Sequence, residues 1–320
     1  MKTISIDRWG DQRRSGERNA ATRVCSNVVA PSFDARRHFV RAYAKIADTC
    51  RAVDEPGVAL FAVDEATGEV AGLACIRARV DRHVAAIVGR HDQCDLSFAG
   101  SERLALRQLA VVLAPVRSWK RGQAEVSFRV LDLRTADGMV DEESRPLRGL
   151  RSEGPVVVRC GGYLIYALPL GDPTDWPASA SDAWAAMPER VYFDELALRP
   201  EGSVVRGSVA LRTPGTTVVV RTGGPRDTSM RLVTNGDVAG TLRFQGATGH
   251  GAIAVGYQAL RDGLLLGRYA RCDGAELCND HLVSRVHALL LLTEDRLIAI
   301  DTATRRAPTE RVRSVGPTRV

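Results

Sequence analysis

From Val58 onward the chain alternates short apolar runs with Gly, Pro, Asp and Asn: "VALFAV", "VAAIVG", "LAVVLA", "VSFRVLDL" and "PVVVRCGGYLIYALPL" are each rich in Val, Ile and Leu. Such runs are too short for helices, and their close spacing between turn residues predicts an all-β sandwich. A second series follows in "SVVRGSVAL", "TTVVVRT", "GTLRFQG", "AIAVGYQAL", "GLLLGR", "HALLLL" and "RLIAIDT". Helical periodicity is confined to two places. Ser32 to Val53, with Ser32 as the N-cap candidate, sets Phe39, Ala42, Tyr43 and Ile46 on one face, and "SASDAWAAMPER" suits a short helix.

These patterns divide the chain into a basic tail and helix (1–54), a β-sandwich (55–170), a linker (171–190), a β-rich connecting segment (191–237) and a second β domain (238–320). The linker reading rests on the Pro, Asp, Ala and Ser of "GDPTDWPASASDAWAAMPE".

Composition narrows the function classes. At 320 residues and 45% apolar content the chain can bury two cores. It has no apolar run of membrane-spanning length and no apolar stretch near its start, so the expectation is a cytoplasmic protein without membrane association. Seven scattered cysteines fit reduced thiols better than a disulfide framework. The net charge is +6 but is carried by arginines spread singly among acids, which argues against a nucleic-acid partner and suits forked recognition of phosphate or carboxylate.

An internal repeat lies across both halves. Laying "AAIVGRHDQCDLSF" over "GLLLGRYARCDGAEL" aligns Gly89-Arg90 with Gly267-Arg268 and Cys94-Asp95 with Cys272-Asp273, about 178 positions apart. With one residue of slippage "ALRQLAVVL", from Ala105, falls on "SRVHALLLL", from Ser284, and "VLDLRTADG" then falls on "AIDTATRRA".

In the second copy Gly267-Arg268 is followed by Ser284-Arg285-Val286-His287 heading an apolar strand, and then by a strand ending in Asp301. This order resembles the forkhead-associated (FHA) domain. The resemblance implies tandem FHA-type β-sandwiches with a short N-terminal helical segment and a linker, and a non-catalytic module whose loops bind phosphothreonine in a partner protein, such as a Ser/Thr kinase or its substrate. It assigns the phosphopeptide contacts to Arg268, Ser284 and Arg285, with Thr304, Arg305 and Arg306 in the loop after Asp301. Gly267, His287 and Asp301 become structural supports, His287 from the interior. Arg305, Arg306 and Ala307 stand where the family places a tight, peptide-contacting turn.

The first copy keeps Gly89, Arg90 and Thr135 but carries Ala105 and Gln108 for the Ser and His, and Asp137 where an Asn would stand. Asp137 repels phosphate, so this copy is expected to be a degenerate scaffold. The alternative for the whole chain is a structural or assembly protein using both sandwiches for phosphate-independent contacts.

Other chemistries fit less well. Ser284 and His287 are three apart on an extended segment and point to opposite faces, which argues against a nucleophile and its base. Cys272, Cys278, His281 and His287 match no usual zinc spacing, and the glycines of "GATGHGAIAVG" lie between two strands rather than between a strand and a helix. No cofactor or metal is expected.

Overall fold

The apolar runs become strands buried on both faces, because the sheets are stacked in more than two layers. The computed structural model describes residues 4–6, 34–98, 101–116, 126–195, 216–222, 238–246, 249–273, 275, 283–294, 296–302 and 307–315. The chain runs through β1 (Ile4–Ile6), α1 (Ala35–Arg51), β2 (Gly57–Asp64), β3 (Val70–Arg77), β4 (Val84–Gly89), β5 (Leu96–Ser97), β6 (Leu109–Leu113), β7 (Phe128–Asp132), β8 (Met139–Val140), β9 (Pro146–Leu147), β10 (Gly149–Ser152), β11 (Val156–Cys160), β12 (Tyr163–Leu170) and α2 (Ala180–Ala186). It continues through β13 (Glu189–Asp194), β14 (Thr216–Thr222), β15 (Val238–Gly246), β16 (Gly249–Gly256), α3 (Tyr257–Asp262), β17 (Leu264–Leu266), β18 (Ala288–Leu292), β19 (Leu297–Asp301) and β20 (Val312–Val315). The architecture is all-β, a β-sandwich with few helices. Among the described residues no helix is long and apolar enough to cross a membrane.

The first sandwich packs a sheet ordered β3-β2-β12-β11-β8-β9 on one ordered β1-β13-β14-β10-β7-β6-β4-β5. Side chains of alternate parity fill the space between them: Val58, Leu60 and Ala62 from β2 meet Ala86 and Val88 from β4 and Leu109, Val111 and Leu113 from β6. The other parity of β2, namely Ala59, Phe61 and Val63, faces outward under α1 and α2. The other parity of β4, β6 and β7, namely Ala85, Ile87, Ala110, Val112 and Leu131, faces the second half. This double burial is why "VALFAV" and "LAVVL" read as unbroken apolar runs rather than as an alternation.

Helix α1 presents the face expected of it, with Phe39, Ala42, Tyr43 and Ile46 all buried. Its N-cap is Asp34, whose Oδ1 accepts from the Arg37 amide at 2.9 Å. Phe39 touches the rings of Tyr43, Phe61, Tyr166 and Trp184. Burying such a side chain contributes about 1.5–3 kcal/mol.

The segment expected as a linker is a packed cap. Trp176 and Trp184 are buried against α1, the Tyr43 hydroxyl donates to the Pro177 carbonyl at 2.7 Å, and Arg51 Nε donates to the Trp176 carbonyl at 3.0 Å. Two tryptophans carry enough apolar area to hold a segment whose Pro and Asp content reads as loose chain.

The β-rich segment after it contributes strands β13 and β14, which join the sheet of the first sandwich, β14 antiparallel to β10 and β13 parallel to β14. The acidic turn between β8 and β9 anchors them. Glu142 accepts from the buried Arg190, at 2.6 Å to Nη2, and from the Tyr192 hydroxyl at 3.0 Å. Asp141 accepts from Arg221 Nε at 2.7 Å, and Arg221 also bonds Glu143. Strand β1, unanticipated in the basic tail, pairs parallel with β13.

Among its described residues the second half forms one sheet, β17-β18-β19-β20, with a separate β15-β16 hairpin. One face, Leu264 and Leu290, packs on Val255, Ala259 and Leu260 of β16 and α3. The opposite face, Leu265, Leu289, Leu291, Ile298 and Ile300, packs on the outer face of β4, β6 and β7.

Candidate functional site

The repeat recognised in the sequence has a common hydrogen-bonding frame. In the first copy Arg90 N donates to Ala105 O at 3.0 Å and His91 N to Leu106 O at 3.2 Å; in the second, Arg268 N donates to Ser284 O at 3.2 Å and Tyr269 N to Arg285 O at 3.0 Å. Gly89 and Gly267 make this approach possible. A Cβ on Gly89 would lie 2.4 Å from Leu106 O, and one on Gly267 2.2 Å from Arg285 O.

The repeated Cys-Asp pair staples the same loop. Asp95 Oδ2 accepts from Ile87 N at 2.7 Å, and Asp273 Oδ2 accepts from Leu265 N at 2.9 Å. The Cys94 thiol donates to Leu106 O at 3.4 Å and the Cys272 thiol to Arg285 O at 3.3 Å. Burial pushes the Cys94 thiol up to about 11. The recurring cysteines, small buried residues by the sequence, and the aspartates beside them thereby share one structural task. Their recurrence was itself the signal, since a small thiol and a carboxylate at one spacing serve one loop twice.

Arg268 and Arg285 are exposed and Ser284 is half-buried, so the frame holds two guanidinium groups and a hydroxyl on neighbouring loops at one end of the second sheet. Gly267 is buried and Asp301 half-buried, its amide donating to Arg311 O at 2.8 Å. Thr304, Arg305 and Arg306 lie outside the described residues. Arg90 and Asp137 of the first copy are exposed.

His287 departs from expectation: it is exposed, not an interior support. Its first-copy counterpart Gln108 occupies the interior position. Gln108 is buried, its Oε1 accepting from Ala105 N at 3.0 Å, and its Nε2 donating to Thr135 Oγ1 at 2.5 Å and to Gly138 O at 3.2 Å. Gly138 folds back over it at φ 59°. The second copy has Ala307 at that point, a residue for which such a backbone angle is strained, and Ala307 is exposed.

The two copies meet along these loops. Arg107 donates to Val286 O, which also accepts from Thr302 Oγ1 at 3.1 Å. Arg311, fully buried, reaches Asp95 Oδ2 at 3.1 Å. Burial raises the Asp95 carboxyl's pKa, outweighing the Ile87 amide and Arg311. Burial also lowers that of the Arg107 guanidinium. None of these cross-copy arginines was distinguishable in the sequence from a solvated one.

No family model matches the chain, and no curated protein matches it. Among solved structures, one described as a structural and functional analysis of phosphothreonine-dependent FHA domain interactions is similar over 35% of this chain and 95% of its own, at 19% identity and a TM-score of 0.25.

Proposed function

We propose that this chain is a non-catalytic phosphothreonine-binding module in Ser/Thr-kinase signalling, in which the second half carries an FHA-type binding surface and the first is a degenerate copy serving as its scaffold. The observation that supports this most is the bond from Arg268 N to Ser284 O, which sets an exposed guanidinium next to a hydroxyl-bearing loop and beside Arg285. A phosphothreonine carries nearly two negative charges and three acceptor oxygens, and an arginine fork with a nearby hydroxyl answers that demand. Arg305, Arg306 and Thr304 extend the same surface in this reading, and the partner is a phosphothreonine protein, such as a kinase or its substrate.

The first copy lacks the hydroxyl at Ala105, presents Asp137, and directs Arg107 and Arg134 to the second half. Its role is support.

The test is binding of a degenerate phosphothreonine peptide library, with phosphoserine and unphosphorylated controls, to the wild type, Arg268→Ala and Arg90→Ala. Losing the Arg268 fork should weaken binding about ten- to a hundredfold, while Arg90→Ala leaves it unchanged. Equal binding of phosphorylated and unphosphorylated peptides would instead favour phosphate-independent assembly.

A further inference from the structure

Two cysteines lie away from the repeated loops. Cys50, on the inner face of α1, is 1% exposed, and Cys75, on β3, packs against the same apolar cluster. The two thiols lie within interaction distance of each other, each shifting the other's titration. Cys75 alone among the described cysteines is not buried. It borders a cavity of about 240 Å³ lined also by Arg77, Arg79, Val84 and Thr309. Strand β3 is the edge of its sheet among the described residues.

We propose that Cys75 is an oxidant-accessible thiol, that Cys50 is its resolving partner, and that hydrogen peroxide entering this cavity converts the pair into a disulfide fastening α1 to β3. The Cys75 thiolate attacks one peroxide oxygen, the O–O bond breaks, and the other oxygen leaves as hydroxide, giving a sulfenic acid. Cys50 loses its proton and attacks that sulfur. The S–S bond forms, the S–O bond breaks, and the sulfenic oxygen leaves as water. Two thiols give up two electrons and two protons, and the peroxide is reduced to two waters.

The surroundings set the order of attack. The Cys50 thiol beside it holds the Cys75 thiol below the usual range; burial opposes this, and the Arg77 charge assists it. Arg77 is itself 3.6 Å from Glu55. The Cys50 thiol is pushed up by Cys75 and by burial, so it is the second to react. Cys94 and Cys272 are buried and bonded to carbonyls, and burial raises Cys160. Reactivity follows thiolate character and access, and only Cys75 combines both among the described cysteines.

The experiment treats the full chain with hydrogen peroxide, blocks free thiols and maps peptides by mass spectrometry. The expected product is one linked peptide pair joining residues 50 and 75. In Cys50→Ser, dimedone should trap a sulfenic acid at residue 75 several-fold more than at any other cysteine, and Cys75→Ser should leave Cys50 reduced. An unlinked, reduced Cys75 in the treated wild type would overturn the proposal without reliance on either variant. So would even labelling of all cysteines, or a disulfide from Cys75 to a different cysteine.

Discussion

Arg134 of the first half grips Asp273 of the second in a two-pronged contact, Nη1 to Oδ1 and Nη2 to Oδ2, both at 2.5 Å. Only 12% of the arginine side chain and 5% of the aspartate remain exposed. The same carboxylate holds the Leu265 amide, so one residue both shapes its own loop and receives the neighbouring copy. Arg134→Ala strands a buried carboxylate and should cost about 3 kcal/mol, read as a lowered midpoint in urea unfolding. A change below 0.5 kcal/mol, the scale of an ordinary surface substitution, would mean the contact is not formed in solution.

Gly267→Ala places a Cβ 2.2 Å from a main-chain carbonyl, with no side chain available to yield. The loop carrying Arg285 must shift, and phosphothreonine-peptide affinity is expected to fall at least tenfold, about 1.4 kcal/mol, by fluorescence anisotropy. Gly89→Ala meets the same obstacle at 2.4 Å. It should lower thermal stability while leaving peptide affinity intact.

Gln108→Ala removes three hydrogen bonds at once and leaves the Ala105 amide without its acceptor. The expected loss is about 2–3 kcal/mol. Hydrogen exchange should speed up at Ala105 ahead of the strands on either side; unchanged protection there would count against the bonding described for this loop.

Glu143 supplies a pH test. Burial raises its carboxyl above the usual range, the Arg221 charge opposes this, and Asp141 adds to the rise. A carboxyl raised in the folded state binds more protons there than in the unfolded chain. Its contribution is therefore full below the unfolded glutamate pKa of about 4.3 and is lost as pH climbs through the folded value. Glu143→Gln should flatten that fall in unfolding free energy across the mildly acidic range. An identical pH profile for the two proteins would contradict the assignment.

What the sequence disclosed followed from local periodicity. Phe39, Ala42, Tyr43 and Ile46 mark one helical face whatever lies beneath it, and "VAAIVG" reads as a strand from its length and its bounding turn residues. What it concealed depends on distance along the chain. Nothing near Val219 says that β14 pairs with β10, or that Arg221 beside it reaches Asp141 across the fold. Trp176 and Trp184 were visible, but the Pro and Asp around them outweighed two large apolar side chains in the linker reading. At the candidate site the Gly-Arg and Cys-Asp pairs were legible because they occur twice. His287 was not: it is exposed, and in the first copy Gln108 holds the interior position expected of it.

The face shared by Leu131 and Ile87 with Leu289 and Ile300 has a practical meaning for anyone dividing this chain. A cut between Thr222 and Val238 falls where the segments look separable, yet it would bare one greasy sheet on each fragment. Neither fragment should remain soluble by itself. Co-produced, the two should find each other and restore a single melting transition.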